Sequence, residues 1–229
     1  MFGSTGLIWA AAWFVWYRDR PEDHPAITPA EVAWIQQDGG APTRRPTPWA
    51  ALLASRNLYA IGLMYFAFGY GLHFYFTWLP TYLISVLGFS TLAGGAFAAL
   101  PFLLAGIADV AGGWLTDRLS ATHGLRVGRC YLGSASFATC AALLVVTTLI
   151  DAPVAKAVLL ALALAAADFA LSAAWAVPLD IAPDHAGVVT GWMNTLGNLG
   201  GLAVGAVAWL FIDPNIPVEN LGRRAFGTS

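Results

Sequence analysis

The sequence predicts an all-α integral membrane protein with about six transmembrane helices. Of its 229 residues, 58% are hydrophobic and only 10% are charged, and the mean hydropathy is +0.66. Soluble domains average about 45–50% apolar and about 25% charged residues, because a soluble domain must cover its surface with polar groups. Disorder is excluded as well, since it requires low hydrophobicity and high net charge. We therefore expect a lipid bilayer around most of this chain.

The charge and the cysteine content exclude further classes of protein. The formal net charge is −2 and Lys and Arg form no cluster, so we expect no nucleic-acid partner. The two cysteines, Cys130 and Cys140, are too few for a disulfide framework or a thiolate metal site. The four histidines are scattered, and the sequence has no metalloprotease, serine-hydrolase or P-loop motif, which argues against an enzyme. We expect neither a metal nor a cofactor.

Apolar segments of roughly 20 residues, the length that a transmembrane helix needs, recur along the chain. The run 57–108 contains no Asp, Glu, Lys or Arg and is long enough for two crossings, separated near 87–90, where turn-forming residues cluster. Residues 1–17 contain no basic residue, unlike a cleavable signal peptide, and are predicted to form another span. The predicted organisation is a transmembrane helix at 1–17, a central cytoplasmic loop with a short helix at 18–56, a bundle of five transmembrane helices at 57–211 and a polar tail at 212–229.

The basic residues predict the orientation of these spans. Eight of the eleven Lys and Arg residues lie in 18–56 and 116–129, so both segments are predicted to be cytoplasmic loops of a multi-pass inner (plasma) membrane protein. In the first loop, Thr28 and Glu31 form a capping box around a proline, which predicts the start of a short helix.

Polar side chains inside a bilayer are costly and usually face a cavity or another helix. On the fifth predicted helix, Asp168, Ser172 and Trp175 are spaced i, i+4 and i+7, which places all three on one face. We expect this face to bind a polar solute, with Asp168 as a carrier of a proton or a cation. The alternative is that Asp168 is protonated, or bonded to a neighbouring helix, and serves packing only.

The sixth predicted helix carries two amides beside a ridge of glycines. Asn194 and Asn198 are one turn apart, and Gly197, Gly201 and Gly205 form the GxxxGxxxG pattern that lets another helix approach closely. An asparagine amide in hydrocarbon must bond to another helix or to a ligand. We expect Asn194 to bind the ligand and Asn198 to serve packing.

The second predicted helix combines aromatic residues with a histidine and glycines. Tyr65 and His73 are eight residues apart, about 80° around a helix, so both can line one cavity. The alternative for His73 is a hydrogen bond between helices. Gly69 and Gly71 weaken this helix and Pro80 removes a backbone hydrogen bond, so we expect bending here.

Charged residues follow the third predicted helix, around the loop predicted at 116–129. Asp117 can pair with a nearby arginine or cap a helix, and such a charge network can hold one conformation and release another. The alternative is a solvated loop without such a role. The candidate residues for this conformational motif are Gly113, Asp117, Arg118 and Arg129.

Four stretches of the sequence resemble one group of transporters. Residues 113–118, Gly-Trp-Leu-Thr-Asp-Arg, are similar to the G-x-L-x-D-R loop signature of the major facilitator superfamily. Residues 16–25, 77–83 and 184–201 resemble its anion:cation symporter family, which includes hexuronate, glucarate and galactonate permeases. The resemblance covers about residues 1–210.

The resemblance implies helices 6–11 of a truncated twelve-helix major facilitator fold, with a solute site between two six-helix halves. The substrate would be a small organic anion, a sugar acid such as hexuronate, glucarate or galactonate, moved with a proton by alternating access. The implied protein partner is a missing N-terminal half-bundle. A non-transporting truncated fragment and a permease for another carboxylate, such as an aromatic acid, are the alternatives. The substrate-binding residues that the resemblance implies are Tyr65, Ser172, Trp175 and Asn194, and local chemistry adds His73 as a ligand and Asp168 as a proton carrier.

Overall fold

The structure, a computed structural model, describes residues 2–37 and 46–211, and their side chains over 3–35 and 46–206. The chain divides into two compact units, Met1–Pro46 and Thr47–Ser229. Every regular element among the described residues is helical, so the all-α prediction is confirmed. The predicted polar tail at 212–229 and residues 38–45 of the predicted loop lie outside the described residues.

The first unit contains, in chain order, α1 (Phe2–Trp16), a 3-10 turn (Pro21–Asp23) and α2 (Pro29–Gln37). Aromatic rings one turn apart follow one side of α1: the ring centroids of Trp9 and Trp13 are 5.8 Å apart, and those of Trp13 and Tyr17 are 4.8 Å apart. Arg18 donates hydrogen bonds from Nη1 to the carbonyls of Val15 and Tyr17, at 2.9 and 2.7 Å, where the helix ends. The helix predicted at 1–17 is thus formed, and its crossing of a membrane stays a prediction.

The start of α2 is the predicted capping box. The Thr28 backbone N–H and hydroxyl both donate to Glu31 Oε2 at 2.8 Å, and the Glu31 N–H donates to Thr28 Oγ1 at 3.4 Å. Pro29 occupies the first helical position. The hydrogen bond from the backbone N–H, and after it that from the hydroxyl, stabilises the carboxylate and holds the pKa of Glu31 below its ordinary value.

The helices of the second unit are α3 (Trp49–Leu53), α4 (Arg56–Thr77), α5 (Leu79–Ser85), α6 (Thr91–His123), α7 (Leu132–Leu149), α8 (Pro153–Asp168), α9 (Leu171–Ile181) and α10 (Ala186–Phe211). A π-helical turn at Arg126–Tyr131 leads into α7, and a 3-10 turn at Pro183–His185 precedes α10. The apolar core of this unit joins α4, α5, α6 and α8 through Tyr75, Leu79, Leu83, Ala105, Ala157, Leu160 and Leu164.

Three helical segments of the described chain are long and apolar enough to cross a membrane. They are Thr91–His123, Arg126–Leu149 and Pro153–Ile181. Helix α4 has 22 residues, a sufficient length, but its tyrosines, glycines and histidine make it less apolar, and it is not among the three. The predicted class, an all-α membrane fold, is confirmed, while the crossings of α1, α4 and α10 stay predictions.

The break between the second and third predicted helices is confirmed. α5 ends and α6 begins on either side of 87–90, and Gly88 has a φ of 72°, a conformation that favours glycine. The Ser90 hydroxyl oxygen then accepts a hydrogen bond from the Ala93 N–H at 3.3 Å, which caps α6.

The second predicted helix is interrupted at one of the two places where bending was expected, and the bend itself stays a prediction. α4 is continuous through Gly69 and Gly71 and is interrupted at Trp78, just before Pro80, which has no N–H to donate. Neither glycine interrupts the helix, and Gly69 lies at the contact with α10.

Backbone contact between α4 and α10 depends on glycine. A Cβ at Gly69 would overlap the carbonyl oxygen of Gly197. Gly197 and Gly201, two members of the predicted glycine ridge, pack against side chains of α4, whereas Gly205 has no neighbouring atom within 4 Å in the described part of the chain. The ridge therefore serves helix packing at two of its three predicted positions.

The structure corrects the loop predicted at 116–129. Helix α6 continues through the first half of this stretch, and only two residues separate it from the π-helical turn. Packing explains the difference: a Cβ at Gly112 would overlap the Phe169 carbonyl oxygen, and Thr116 is fully buried. Tertiary contacts thus keep this segment helical, although its charges alone predict a loop.

The predicted fifth helix is two helices rather than one. α8 ends at Asp168 and α9 begins at Leu171, so the chain is interrupted between Asp168 and Ser172. The interruption lies at Phe169, whose carbonyl is the group in contact with Gly112 of α6. Phe169 and Ala170 keep right-handed helical dihedrals, so the interruption is local, and the shared face of Asp168, Ser172 and Trp175 stays a prediction.

The contact of α4 with α10 predicts opposite effects of alanine at two neighbouring glycines. Gly69→Ala should lower the free energy of unfolding by about 1–3 kcal/mol, because its Cβ meets backbone that cannot move aside easily. Gly71→Ala is the control, since no atom lies within 4 Å of its Cβ, and it should raise stability by about 0.5–1 kcal/mol. Thermal unfolding of both variants in detergent tests this, and equal midpoints would contradict the contact.

The capping box predicts that α2 loses stability in acid. Because the pKa of Glu31 is lower in the folded helix than its ordinary value of 4.5, the stabilisation is complete above that value and is lost as the pH falls through the folded pKa. The ¹³Cα chemical shifts of Ala30 and Ala33 should move toward coil values in that range. Glu31→Gln keeps a capping side chain that does not titrate, so its shifts should stay constant, and an identical acid response in both proteins would contradict the assignment.

Candidate functional site

A polar contact joins α6 to α9 beside the interruption after α8. Ser172 Oγ lies 2.6 Å from Asp109 Oδ1 and 2.7 Å from the Asp109 carbonyl oxygen. Asp109 is half-buried and lies on the α6 face that packs against the interruption. Asp109 was not predicted as a site residue, although it is the first charged residue after the uncharged run 57–108. A carboxyl group inside an apolar helix is the signal that would have identified it.

Asp168, the last residue of α8, belongs to the same neighbourhood. Its carboxyl is half-buried, and it directly precedes Phe169, whose carbonyl contacts Gly112 of α6. The interruption of the fifth predicted helix therefore lies beside the Ser172–Asp109 contact between α9 and α6.

Two aromatic rings predicted to contact the substrate do meet. The rings of Tyr65 and Trp175 are perpendicular, at 89°, with centroids 5.8 Å apart. Trp175 is 40% exposed, so part of its ring is free for a ligand. The Tyr65 ring also packs against Gly197, where a Cβ would lie 2.8 Å from its Cε1 atom. The close approach of α10 to α4 thus fixes the tyrosine in front of the tryptophan.

His73 occupies a packing position on α4. Its Nδ1 is 2.8 Å from the Gly69 carbonyl oxygen, to which it donates, and its ring covers Gly201 of α10. Eight residues separate it from Tyr65, which is about 12 Å along the helix axis. The structure therefore does not bring His73 to the Tyr65–Trp175 pair, and its predicted ligand role stays a prediction.

The two asparagines of α10 are both exposed. Asn198 Nδ2 donates to the Asn194 carbonyl oxygen at 2.8 Å, so its amide bonds to its own helix. The packing role predicted for Asn198 would require a bond to another helix. The Asn194 side chain has no hydrogen bond to the described side chains or backbone. The predicted ligand role of Asn194 stays a prediction.

A second group of charges, which we call the Arg129 network, lies at the end of α6. Arg129 Nε is 2.9 Å from Asp180 Oδ2, and its Nη1 is 3.2 Å from Asp117 Oδ1 and 3.1 Å from Thr116 Oγ1. The arginine side chain is only 11% exposed. The network joins α6, the π-helical turn and α9. Its members are Thr116, Asp117, Arg129 and Asp180.

The network agrees with the sequence in part. Pairing of Asp117 with an arginine is confirmed, and the arginine is Arg129. The neighbouring Arg118 points elsewhere and lies 5.3 Å from the centre of the Trp114 ring, and Gly113 contacts Ser172 instead. Asp180 was not predicted, because no local spacing relates it to an arginine 51 positions away.

Known transporters from bacteria and plants are similar to this chain. It is 29% identical over 260 residues to a probable sulfoacetate transporter of Cupriavidus necator, with 98% of this chain and 59% of that protein covered. It is 32% identical over 205 residues to a probable chloroplastic anion transporter of Oryza sativa subsp. japonica, and 30% identical over 206 residues to a chloroplastic ascorbate transporter of Arabidopsis thaliana. In both plant cases 88% of this chain and 38% of the relative are covered, so the chain spans between two fifths and three fifths of the length of these relatives.

A family model gives the broader relationship. The model described as Major Facilitator Superfamily matches residues 1–205. The matched segment contains α1 and α2, the Tyr65–Trp175 pair and the whole Arg129 network. The chain belongs to the Major Facilitator Superfamily.

Proposed function

We propose that this chain forms part of a transporter that moves a small organic anion across the inner (plasma) membrane by alternating access, with residues 18–56 and 116–129 on the cytoplasmic side. The observation that carries the proposal is the meeting of Tyr65 and Trp175 beside the interrupted α8–α9 segment. Interrupted helices with polar groups at the break are a recurring feature of transporter sites. The names of the relatives, which refer to sulfoacetate, ascorbate and anions, support an anionic substrate.

The substrate class that we favour is a sugar acid such as hexuronate, glucarate or galactonate. The aromatic pair offers ring surface to the C–H face of a sugar, while the Asn194 amide offers hydrogen bonds to its hydroxyl groups. Ser172 is engaged with Asp109 and would reach substrate by exchanging that hydrogen bond.

A counter-charge for the substrate carboxylate has to come from elsewhere in the bundle. Between residues 57 and 115, and between 132 and 181, the only Lys or Arg is Lys156. Lys156 is in the first turn of α8, about 18 Å along the axis from Asp168 at its last residue. We therefore assign the carboxylate partner to a complementary N-terminal half-bundle, which we also propose as the structural partner of this chain.

Proton coupling is assigned to Asp168. Its carboxyl is half-buried and has no ion pair with a described residue. Taking up a proton neutralises a carboxylate, so the loaded and empty states of the site would differ in charge.

The Arg129 network is assigned the role of holding one conformation. It ties the end of α6 to the end of α9 through charged hydrogen bonds to a largely buried arginine. Relative movement of these ends must break at least one of the bonds, which gives the transporter two discrete states rather than a continuous range.

Uptake by a chimera tests the proposed transport. This chain replaces the matching region of the Cupriavidus necator relative, and the chimera is reconstituted in liposomes with an inward proton or sodium gradient. We expect uptake of labelled galactonate or hexuronate that depends on the proton gradient. Sulfoacetate and an aromatic acid serve as competing substrates, and preference for either would contradict the sugar-acid assignment. A well-folded chimera that carries no anion would contradict transport itself.

Variants in the same chimera test the site. Trp175→Ala should weaken the apparent affinity about tenfold, or about 1.4 kcal/mol, whereas Trp175→Phe keeps an aromatic ring and should retain most of it. Asn194→Ala should cost about 1 kcal/mol of binding. Asn198→Ala is the matched control, because that amide bonds to its own helix. Equal effects at the two asparagines would remove Asn194 from the site.

Loss of one acid from the Arg129 network should shift the balance between the two states. Asp180→Asn removes a charged hydrogen bond of 2.9 Å, which is worth about 1–3 kcal/mol, and should change the maximal uptake rate more than the affinity. Asp117→Asn should act in the same direction, and the double variant should change the rate by less than the sum of the two, since both bind one arginine. Asp151→Asn, at the exposed α7–α8 connection, is the control and should be neutral.

A further inference from the structure

The π-helical turn before α7 is a feature that the proposed transport does not explain. In residues Arg126–Tyr131 the backbone is wound so that the Leu132 N–H reaches the Val127 carbonyl, five residues back. Such turns are rare and amount to one extra residue inserted into a helix, and they occur often at functional sites. Their cost must be offset by contacts that an ordinary α-helical turn would not make.

Two contacts at Gly128 can offset the cost of the π-helical turn. The Thr116 hydroxyl donates to the Gly128 carbonyl oxygen at 2.6 Å, and both groups are buried. Gly128 itself lies so close to α6 that a Cβ there would be 2.7 Å from the Thr116 carbonyl oxygen and would overlap Ser120 Oγ. In the π-helical winding of the turn, only glycine fits this position. We call it the Gly128 seat.

The winding of the turn determines where Arg129 points. Arg129 directly follows the seated glycine, and its guanidinium bonds to Thr116, Asp117 and Asp180. Rewinding the turn as an α-helix would rotate its residues about the helix axis. The rotation would accumulate along the turn to at most about 100°, the angle between successive residues of an α-helix. A side chain held at 2.9 and 3.2 Å from two acids cannot follow such a rotation and keep both bonds.

A buried hydroxyl beside the seat lacks a hydrogen bond to the described residues. Ser120 Oγ is buried and has no hydrogen-bond partner in the described part of the chain. An unsatisfied buried hydroxyl is unfavourable, and it lies against Gly128. Departure of the glycine opens space in which this hydroxyl can find water or backbone, so the second winding has a compensating gain.

We propose that the turn Arg126–Tyr131 is a register switch: its π-helical winding presents Arg129 to Asp117 and Asp180, and rewinding as an α-helix withdraws it. In this mechanism the network opens through a change in backbone register at one turn, not through separation of the helices alone. The purpose of the switch rests on the proposed function, but its existence does not, because the two windings can be distinguished without transport.

The native cysteines provide a test on the full chain in liposomes. Cys130 lies inside the turn and is exposed, and Cys140 lies in α7 beyond it. The rate of alkylation by a maleimide is measured in a Cys140→Ala background, which reports on the turn, and in a Cys130→Ala background, which reports on the body of α7. Gly128→Ala and Thr116→Val each remove one of the two contacts that hold the winding.

Both variants should change the alkylation rate of Cys130 several-fold and to a similar value, with the rate at Cys140 unchanged. Gly133→Ala is the matched control, since this glycine of α7 has no atom within 4 Å of its Cβ, and it should leave both rates as in the parent. Deletion of Val127 shortens the turn by one residue and should reproduce the Cys130 rate of Gly128→Ala. These results would support the switch whether or not the uptake experiments succeed.

Two results would overturn the switch. One is an unchanged Cys130 rate in both Gly128→Ala and Thr116→Val. The other is a change at Cys140 of the same size as that at Cys130, which would show general loss of structure. Asp180→Asn separates the switch from simple bond breakage: it should move the Cys130 rate toward that of the seat variants, and no movement would show that the network opens without rewinding.

Discussion

Helices in a bilayer gain little by burying apolar side chains against one another, because lipid is as apolar as leucine. Close approach of backbones is one of the contributions that remain, and among the described residues glycine permits it at three interfaces. Between α4 and α10, Gly69 admits the Gly197 carbonyl and Gly200 admits the Phe66 carbonyl. Gly112 admits the Phe169 carbonyl between α6 and the α8–α9 interruption, and Gly128 rests on Thr116 and Ser120. The site residues are positioned by these contacts: the first holds Tyr65, and the second lies beside Asp109 and Ser172.

The two candidate regions differ in chemistry. The region around Tyr65, Trp175 and Asp168 combines aromatic ring surface with a half-buried carboxyl group. The Arg129 network, in contrast, consists of one largely buried arginine bonded to two acids and a hydroxyl. Helices α6 and α9 belong to both regions, since Asp109 and Asp117 lie on one and Ser172 and Asp180 on the other. Under the proposed function, binding at the first region and movement at the second would therefore involve the same pair of helices.

Much of the fold could be predicted from the sequence, because long runs without charge allow few other structures and because capping signals are local. The capping box at Thr28, the break near Gly88 and the interruption before Pro80 are examples. For the candidate site, spacing along one helix places Asn194 and Asn198 one turn apart on α10, and their roles stay predictions. The interruption at Phe169, the helical state of 112–123 and the π-helical turn are set by contacts with α6 or α9, which no local pattern contains. Asp180 was missed for the same reason.

Helix α4 is long enough to cross a membrane, but its tyrosines, glycines and histidine make it less apolar than the three segments named above. Two of its glycines, Gly62 and Gly69, are covered by α10, and His73 lies over Gly201 of that helix. During synthesis α4 leaves the ribosome well before α10 does. We expect α4, which is only marginally apolar, to stay at the translocon until α10 has been synthesised. Assembly of the second unit would then be completed only when α10 packs against α4.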